Sequence, residues 1–158
     1  MENNLIYVTA PEIIQIHDGL IDVSGGVKGI INPTSLDYVA ETQMHYSETP
    51  TLPGTASYLL CRIAKGHQFA DGNKRTAYFT ARYFLMRNGA DFNGSDPEEA
   101  SHEIEYIAAQ PDMDSACGIA GKLVDKYLIR DQIRIPDYPT FHRMIVKSIG
   151  VAHRLSKR

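Results

Sequence analysis

The residues best suited to chemistry stand together as His67-Gln68-Phe69-Ala70-Asp71-Gly72-Asn73-Lys74-Arg75-Thr76-Ala77. This short run holds an imidazole that titrates near neutrality, a carboxylate, a glycine turn, an amide and two cations. An apolar helical pattern follows at once. The order suits a phosphate: a loop delivers a base, and a helix N-terminus turns unpaired N–H groups and a positive dipole toward an anion. Plainer uses exist for each residue. Asp71 could be an ordinary N-cap, Gly72 an ordinary turn residue, and Lys74 and Arg75 a solvated first turn. Yet two cations at a helix N-terminus oppose the macrodipole unless an anion sits there. Such a conflict between local preference and sequence is typical of a functional site.

Each residue type has a role in phosphate chemistry. His67 can take the proton of a target hydroxyl as that oxygen attacks phosphorus. Asp71 is the candidate for holding Mg²⁺, a hard ion bound through few carboxylates plus phosphate oxygens. The N–H groups of Gly72 and Asn73 form an anion cradle, to which the Asn73 amide adds a donor. Lys74, a point charge, and Arg75, a fork, neutralise charge during transfer. The same types could cleave RNA, with His67 as base and Lys74 and Arg75 on the scissile phosphate. Against that stand a net charge of −3 and the lack of a clear second acid/base histidine.

The elements that must position these groups read as almost entirely helical. Thr9-Ala10-Pro11-Glu12 is a capping box, with Ile13, Ile14, His17, Leu20 and Ile21 on one face after it. Gly25 to Gly29 breaks that helix, and Asn32-Pro33 starts a short one to about Thr42. A helix from about Thr51 to Lys65 stops at Gly66 and delivers His67 into a loop. The next, Gly72 to Asn88, is apolar around most of its circumference, so it belongs in the middle of a bundle. Phe69 anchors the loop from beneath and aims His67 outward. Ser95-Asp96-Pro97-Glu98 caps a helix to about Ala109, and Asp112 to about Arg130 gives the last core helix. Leu5-Ile6-Tyr7-Val8 reads as a short strand without an obvious partner. The fold expected is an all-α orthogonal bundle around one buried central helix.

The chain of 158 residues suits one domain with a real core, and its 43% hydrophobic and 22% charged content is ordinary. Cys61 and Cys117 lack metal-type spacing and read as buried thiols in a reducing compartment. No apolar run approaches membrane-spanning length, and Met1-Glu2-Asn3-Asn4 lacks the features of a signal peptide. A cytoplasmic protein is expected. The stretch from Asp131 to Arg158 carries six Lys or Arg against two Asp, a net of +4, while the rest carries −7. Such asymmetry suits either a solvated end lying on an acidic body or an arm for an acidic partner or nucleic acid. Phe141, Met144, Ile145, Ile149 and Ala152 have helical spacing, so residues 131–158 read as a basic extension with a docked extra helix, after a domain spanning 1–130.

The motif His67-x-Phe69-x-Asp71-Gly72-Asn73-Lys74-Arg75 resembles the signature of the Fic/Doc family, in its Doc (death-on-curing) branch. Gly25-Gly26-Val27-Lys28-Gly29, then Asn32 to Asp37, is similar to the upstream loop and short helix of that branch. Tyr83 to Gly89 resembles the end of its central helix, and about residues 4–130 follow the family pattern. The resemblance implies His67 as base, Asp71 at Mg²⁺, and Asn73, Lys74 and Arg75 at the phosphates of ATP. Family members that transfer AMP have Gly where Lys74 stands and a second Arg at Tyr78. The Doc branch shares both departures and implies instead transfer of the γ-phosphate to a hydroxyl of a target protein, a translation factor of the elongation factor Tu type. It also implies a toxin restrained by an antitoxin. An internal inhibitory helix is not expected, because Ser95 with Glu99 and Ser101 with Glu105 are followed by Ala100 and Tyr106 rather than by Gly or Asn. AMP transfer, RNA cleavage and a non-catalytic regulatory role are the alternatives.

Overall fold

The computed structural model describes residues 4–93 and 97–156, with the backbone alone at 97–99 and 149–156. Seven helices are described: α1 (Ala10–Ser24), α2 (Pro33–Thr42), α3 (Leu52–Gly66), α4 (Asn73–Arg87), α5 (Pro97–Ala108), α6 (Met113–Tyr127) and α7 (Tyr138–Ser156). Two short strands, β1 (Asp91–Phe92) and β2 (Leu128–Ile129), pair antiparallel beyond the ends of α4 and α6. The fold is the all-α bundle that the periodicity predicts.

Local signals set most boundaries. Thr9 and Glu12 close the capping box of α1, with Glu12 N–H donating to Thr9 Oγ1 at 3.3 Å and Thr9 N–H to Glu12 Oε1 at 3.0 Å. Asn32, Thr51 and Asp112 cap α2, α3 and α6 through their side-chain oxygens. The cap expected at Ser95-Asp96 lies outside the described residues. Ser101 and Glu105 are exposed positions of α5.

The centre is α4, with α3 packed along it; Ala77, Ala81, Tyr83, Phe84 and Leu85 meet Leu59, Leu60 and Ile63 in one core. Each large apolar side chain so buried contributes about 1.5–3 kcal/mol. α6 covers the other side of α3, and α1 covers α4. Glu12 ties α1 to α4 as well, accepting from the Tyr83 hydroxyl, which also accepts from Arg87 at 2.9 Å. Burial is the main reason that the Tyr83 phenol is held well above its ordinary pKa.

Two expectations are corrected. Leu5 to Val8 is not a strand, because no strand among the described residues reaches it. Side-chain amides take over its backbone groups: Asn88 bonds both N–H and C=O of Ile6, and Gln43 does the same at Val8. Cys61 and Cys117 are bonded to each other rather than free, with Cα atoms 5.1 Å apart. Direct packing of α3 on α6 brings residues 56 positions apart within bonding reach, which sequence spacing does not reveal.

Within the basic stretch from 131, α7 lies on α1 and against α4. Tyr138 donates its hydroxyl to Gln15 C=O at 2.7 Å, and Phe141, 1% exposed, packs on Tyr83. A side chain at Gly19 would meet His142 and Tyr138 at 3.0 Å, so glycine lets α7 sit close on α1. No described helix is long and apolar enough to cross a membrane.

Candidate active site

The loop between α3 and α4 begins where α3 ends on a residue in left-handed backbone geometry. His67 (φ 53°, ψ 41°) is that residue, and Asp131 is the only other described non-glycine at positive φ. Left-handed geometry in a non-glycine residue costs about 1 kcal/mol, so surrounding contacts must hold it. Gln68 supplies one, folding back to donate to Arg62 C=O at 3.1 Å. It does so over Gly66, where an added Cβ would lie 2.1 Å from Gln68 Nε2. The reversal buries Gln68 and leaves His67 exposed.

Phe69 is 1% exposed beneath the loop, as its predicted anchoring role requires. Its backbone is clasped by the Asn73 amide: Phe69 N–H donates to Asn73 Oδ1 at 3.0 Å, and Asn73 Nδ2 donates to Phe69 C=O at 2.9 Å. The Asn73 side chain, read from sequence as a phosphate donor, thus braces the loop. Gly72 (φ 77°) opens α4 without a side-chain cap, so Asp71 is not the N-cap.

The Asp71 carboxylate accepts from Val27 N–H at 3.1 Å and from Gly72 N–H at 2.8 Å. The Val27 N–H above all, then the Gly72 N–H, with Arg75 and His17 nearby, hold its carboxyl below the usual carboxylate range. Asp71 is therefore ionised at neutral pH. The Gly72 N–H, read as part of the anion cradle, is directed to Asp71 instead. Helix geometry leaves the N–H groups of Asn73, Lys74 and Arg75 without intrahelical acceptors, since Thr76 N–H takes the Gly72 carbonyl. Lys74 is exposed beside them.

Arg75 donates to Ser24 Oγ and, at 3.1 Å, to Gly25 C=O. The turn at 24–27 therefore lies against both Asp71 and Arg75. At Gly26 (φ +125°) a Cβ would meet Asp71 Oδ2 at 2.7 Å and Arg75 at 3.2 Å. Three further backbone bonds tie 29–32 to the loop: Ala70 N–H to Gly29 C=O, and Ile31 and Asn32 N–H to Gln68 C=O.

The structure thus brings Asp71, Gly72, Asn73 and Arg75 together at the start of α4, with Lys74 on its exposed face and His67 at the far end of the loop. Sequence reasoning missed two participants. One is the turn at 24–27, read as a helix break and as similar to the family's upstream loop, but with no sign of its contact with Asp71 and Arg75. The other is His17, buried behind the loop; the signal available was a histidine on an otherwise apolar face of α1.

Comparison with known proteins agrees with this picture. The sequence profile of the Fic/DOC family matches residues 7–85, half of the chain. The protein kinase doc of Escherichia phage P1 is 34% identical over 86 residues, spanning 52% of this chain and 68% of that protein. The toxin Doc of Mycolicibacterium smegmatis is 39% identical over 77 residues, spanning 46% of this chain and 58% of that protein. The matched region runs from the start of α1 into α4 and contains every candidate site residue, and on it the chain belongs to the Fic/DOC family, in its Doc branch.

Proposed function

We propose that the protein is the toxin of a toxin–antitoxin pair and a transferase that passes the γ-phosphate of ATP to a hydroxyl of a target protein. The observation that carries this reading is the loop itself: an exposed His67 leads into a helix start that gathers Asp71, Lys74 and Arg75. That a relative is named a protein kinase supports it. In the reaction the target O–H gives its proton to His67, its oxygen bonds to the γ-phosphorus, and the bond from that phosphorus to the β-phosphate oxygen breaks to release ADP. The free N–H groups at the start of α4, with Lys74, bind phosphate oxygens. Arg75 uses part of its fork on Ser24 and Gly25 and has further N–H groups for phosphate.

Asp71 fits Mg²⁺ held jointly with nucleotide. Its two oxygens each accept one hydrogen bond and keep lone pairs in a partly exposed position. No cluster of three or more His, Cys, Asp or Glu among the described residues could hold a metal alone, and a single carboxylate plus phosphates is a normal magnesium site. Bound there, Mg²⁺ would neutralise charge on the transferring phosphoryl group.

Phosphoryl transfer is favoured over AMP transfer for two reasons. Lys74 puts a cation where AMP-transferring relatives have glycine. Tyr78, where they have a second arginine, packs its ring on Phe92 and Phe79. A translation factor of the elongation factor Tu type is the target, an antitoxin is the restraining partner, and the cytoplasm is the place of action. The test is label transfer into a bacterial lysate with Mg²⁺ and either γ-³²P-ATP or α-³²P-ATP. Transfer of the γ label alone, absent in His67→Ala, supports the proposal. Transfer of the α label makes the protein an AMP-transferase. If neither label moves, the transferase reading fails.

A further inference from the structure

We propose that His17 is a positioning residue of the site, setting the place of the Asp71 carboxylate through the Asp71 peptide. This rests on the phosphotransferase reading for its kinetic consequence and on geometry alone for the rest. His17 lies on the inner face of α1, 1% exposed, although the motif does not include it. Its ring stacks on Phe69 with centroids 3.9 Å apart and planes within 6°. Its Nε2 lies 2.7 Å from the Asp71 carbonyl oxygen. A carbonyl can only accept, so Nε2 carries the hydrogen. Nδ1 is 3.0 Å from Asp18 Oδ1, a contact that is a hydrogen bond only when Nδ1 carries a hydrogen too, whereas the bond from Nε2 needs only the one already placed.

One ring therefore holds two positions of the loop: the face of Phe69 and the peptide after Asp71. That same peptide joins Asp71 to Gly72, whose N–H donates to the Asp71 carboxylate. Rotating it would withdraw the Gly72 N–H and release the carboxylate from one of its two donors. Two positions further along α1, Gly19 seats α7. The arrangement is the one by which an outer residue orients a metal-binding or catalytic group, and losing such a partner costs about 10–100-fold.

Two substitutions separate positioning from space-filling. His17→Gln puts an N–H near the former Nε2, whereas His17→Met fills the volume without a donor. Hydrogen exchange of the Val27 and Gly72 amides, both donors to the Asp71 carboxylate, is followed by NMR in the full chain, alongside melting temperature and γ-phosphate transfer. In His17→Gln both amides keep their protection and transfer stays close to the wild-type rate. In His17→Met both lose protection and kcat falls about 10–100-fold, with a smaller change in KM for ATP. The proposal is overturned if His17→Met keeps the wild-type protection, or if His17→Gln loses as much of it as His17→Met does. A wild-type chain that transfers no label refutes the kinase reading, and the two amides then decide the question of His17 alone.

Discussion

Two junctions between helices show how differently the same chemistry can be used. At 109–112, between α5 and α6, each group does what its residue type ordinarily does at a helix end. Lys65 donates to the Ala108 and Gln110 carbonyls and closes the end of α5. Asp112 then caps α6 by accepting from Ser115 N–H at 2.7 Å. At 67–72, between α3 and α4, local rules are broken in turn. A histidine takes a left-handed conformation, a glycine opens the helix uncapped, two cations occupy its positive end, and the aspartate turns away to Val27. Both aspartates are held below the usual carboxylate range by backbone N–H groups. Only one of those N–H groups comes from a distant segment. The first junction draws on one lysine of α3, and the second draws on α1 and the turn at 24–27.

The sharpest way to break the comparison is His67→Gly. Relief of the left-handed conformation should raise stability by about 1 kcal/mol in urea unfolding. Transfer should fall about 10²–10⁴-fold, because the base is gone. A variant that is both more stable and inactive would show that this junction is shaped for the site at the expense of the fold. The Cys61–Cys117 bond joins the helix before one junction to the helix after the other. Reduction with dithiothreitol should lower unfolding free energy by about 4 kcal/mol, from the length of the closed loop.

Gly26→Ala presses on the unusual junction alone. A Cβ there meets Asp71 and adopts a disfavoured φ, so stability should fall by about 2 kcal/mol and transfer with it. Asp112→Ala is the matching change at the ordinary junction. It should lower the melting temperature by about 2–4 °C and leave transfer intact. The smallest effect is in acid. A carboxyl whose folded pKa is depressed contributes stability that is present above its unfolded value, 3.8 for both aspartates, and is lost as pH falls through the folded value. Asp71→Asn and Asp112→Asn should each flatten the acid limb of stability below that pH, read from urea midpoints at successive pH values.

What was legible in the sequence follows the same division. Thr9 with Glu12, Thr51 and Asp112 mark helix starts because their partners lie three residues away. The motif at 67–75 was legible because its residue types conflict with a helix start. Features that depend on distant partners were not. Leu5 to Val8 has strand-like composition, yet the amides of Asn88 and Gln43 replace the missing neighbour. β1 and β2 are two residues each, too short for any periodicity. The pairing of Cys61 with Cys117, the turn of Asp71 toward Val27 and the approach of His17 all arise from helices meeting in three dimensions.

The seat of α7 on α1 bears on how the chain is made. Tyr138 and Gln15, bonded across that seat, are 123 positions apart. At synthesis rates of about 5–20 residues per second, α1 leaves the ribosome roughly 6–25 s before the helix that covers its outer face. During that interval the bare surface around Gly19 lies open on the nascent protein, two residues from the histidine that stacks under the loop at 67–72. The last described helix to be translated therefore completes the first, and the loop gains that support only once α7 has been made.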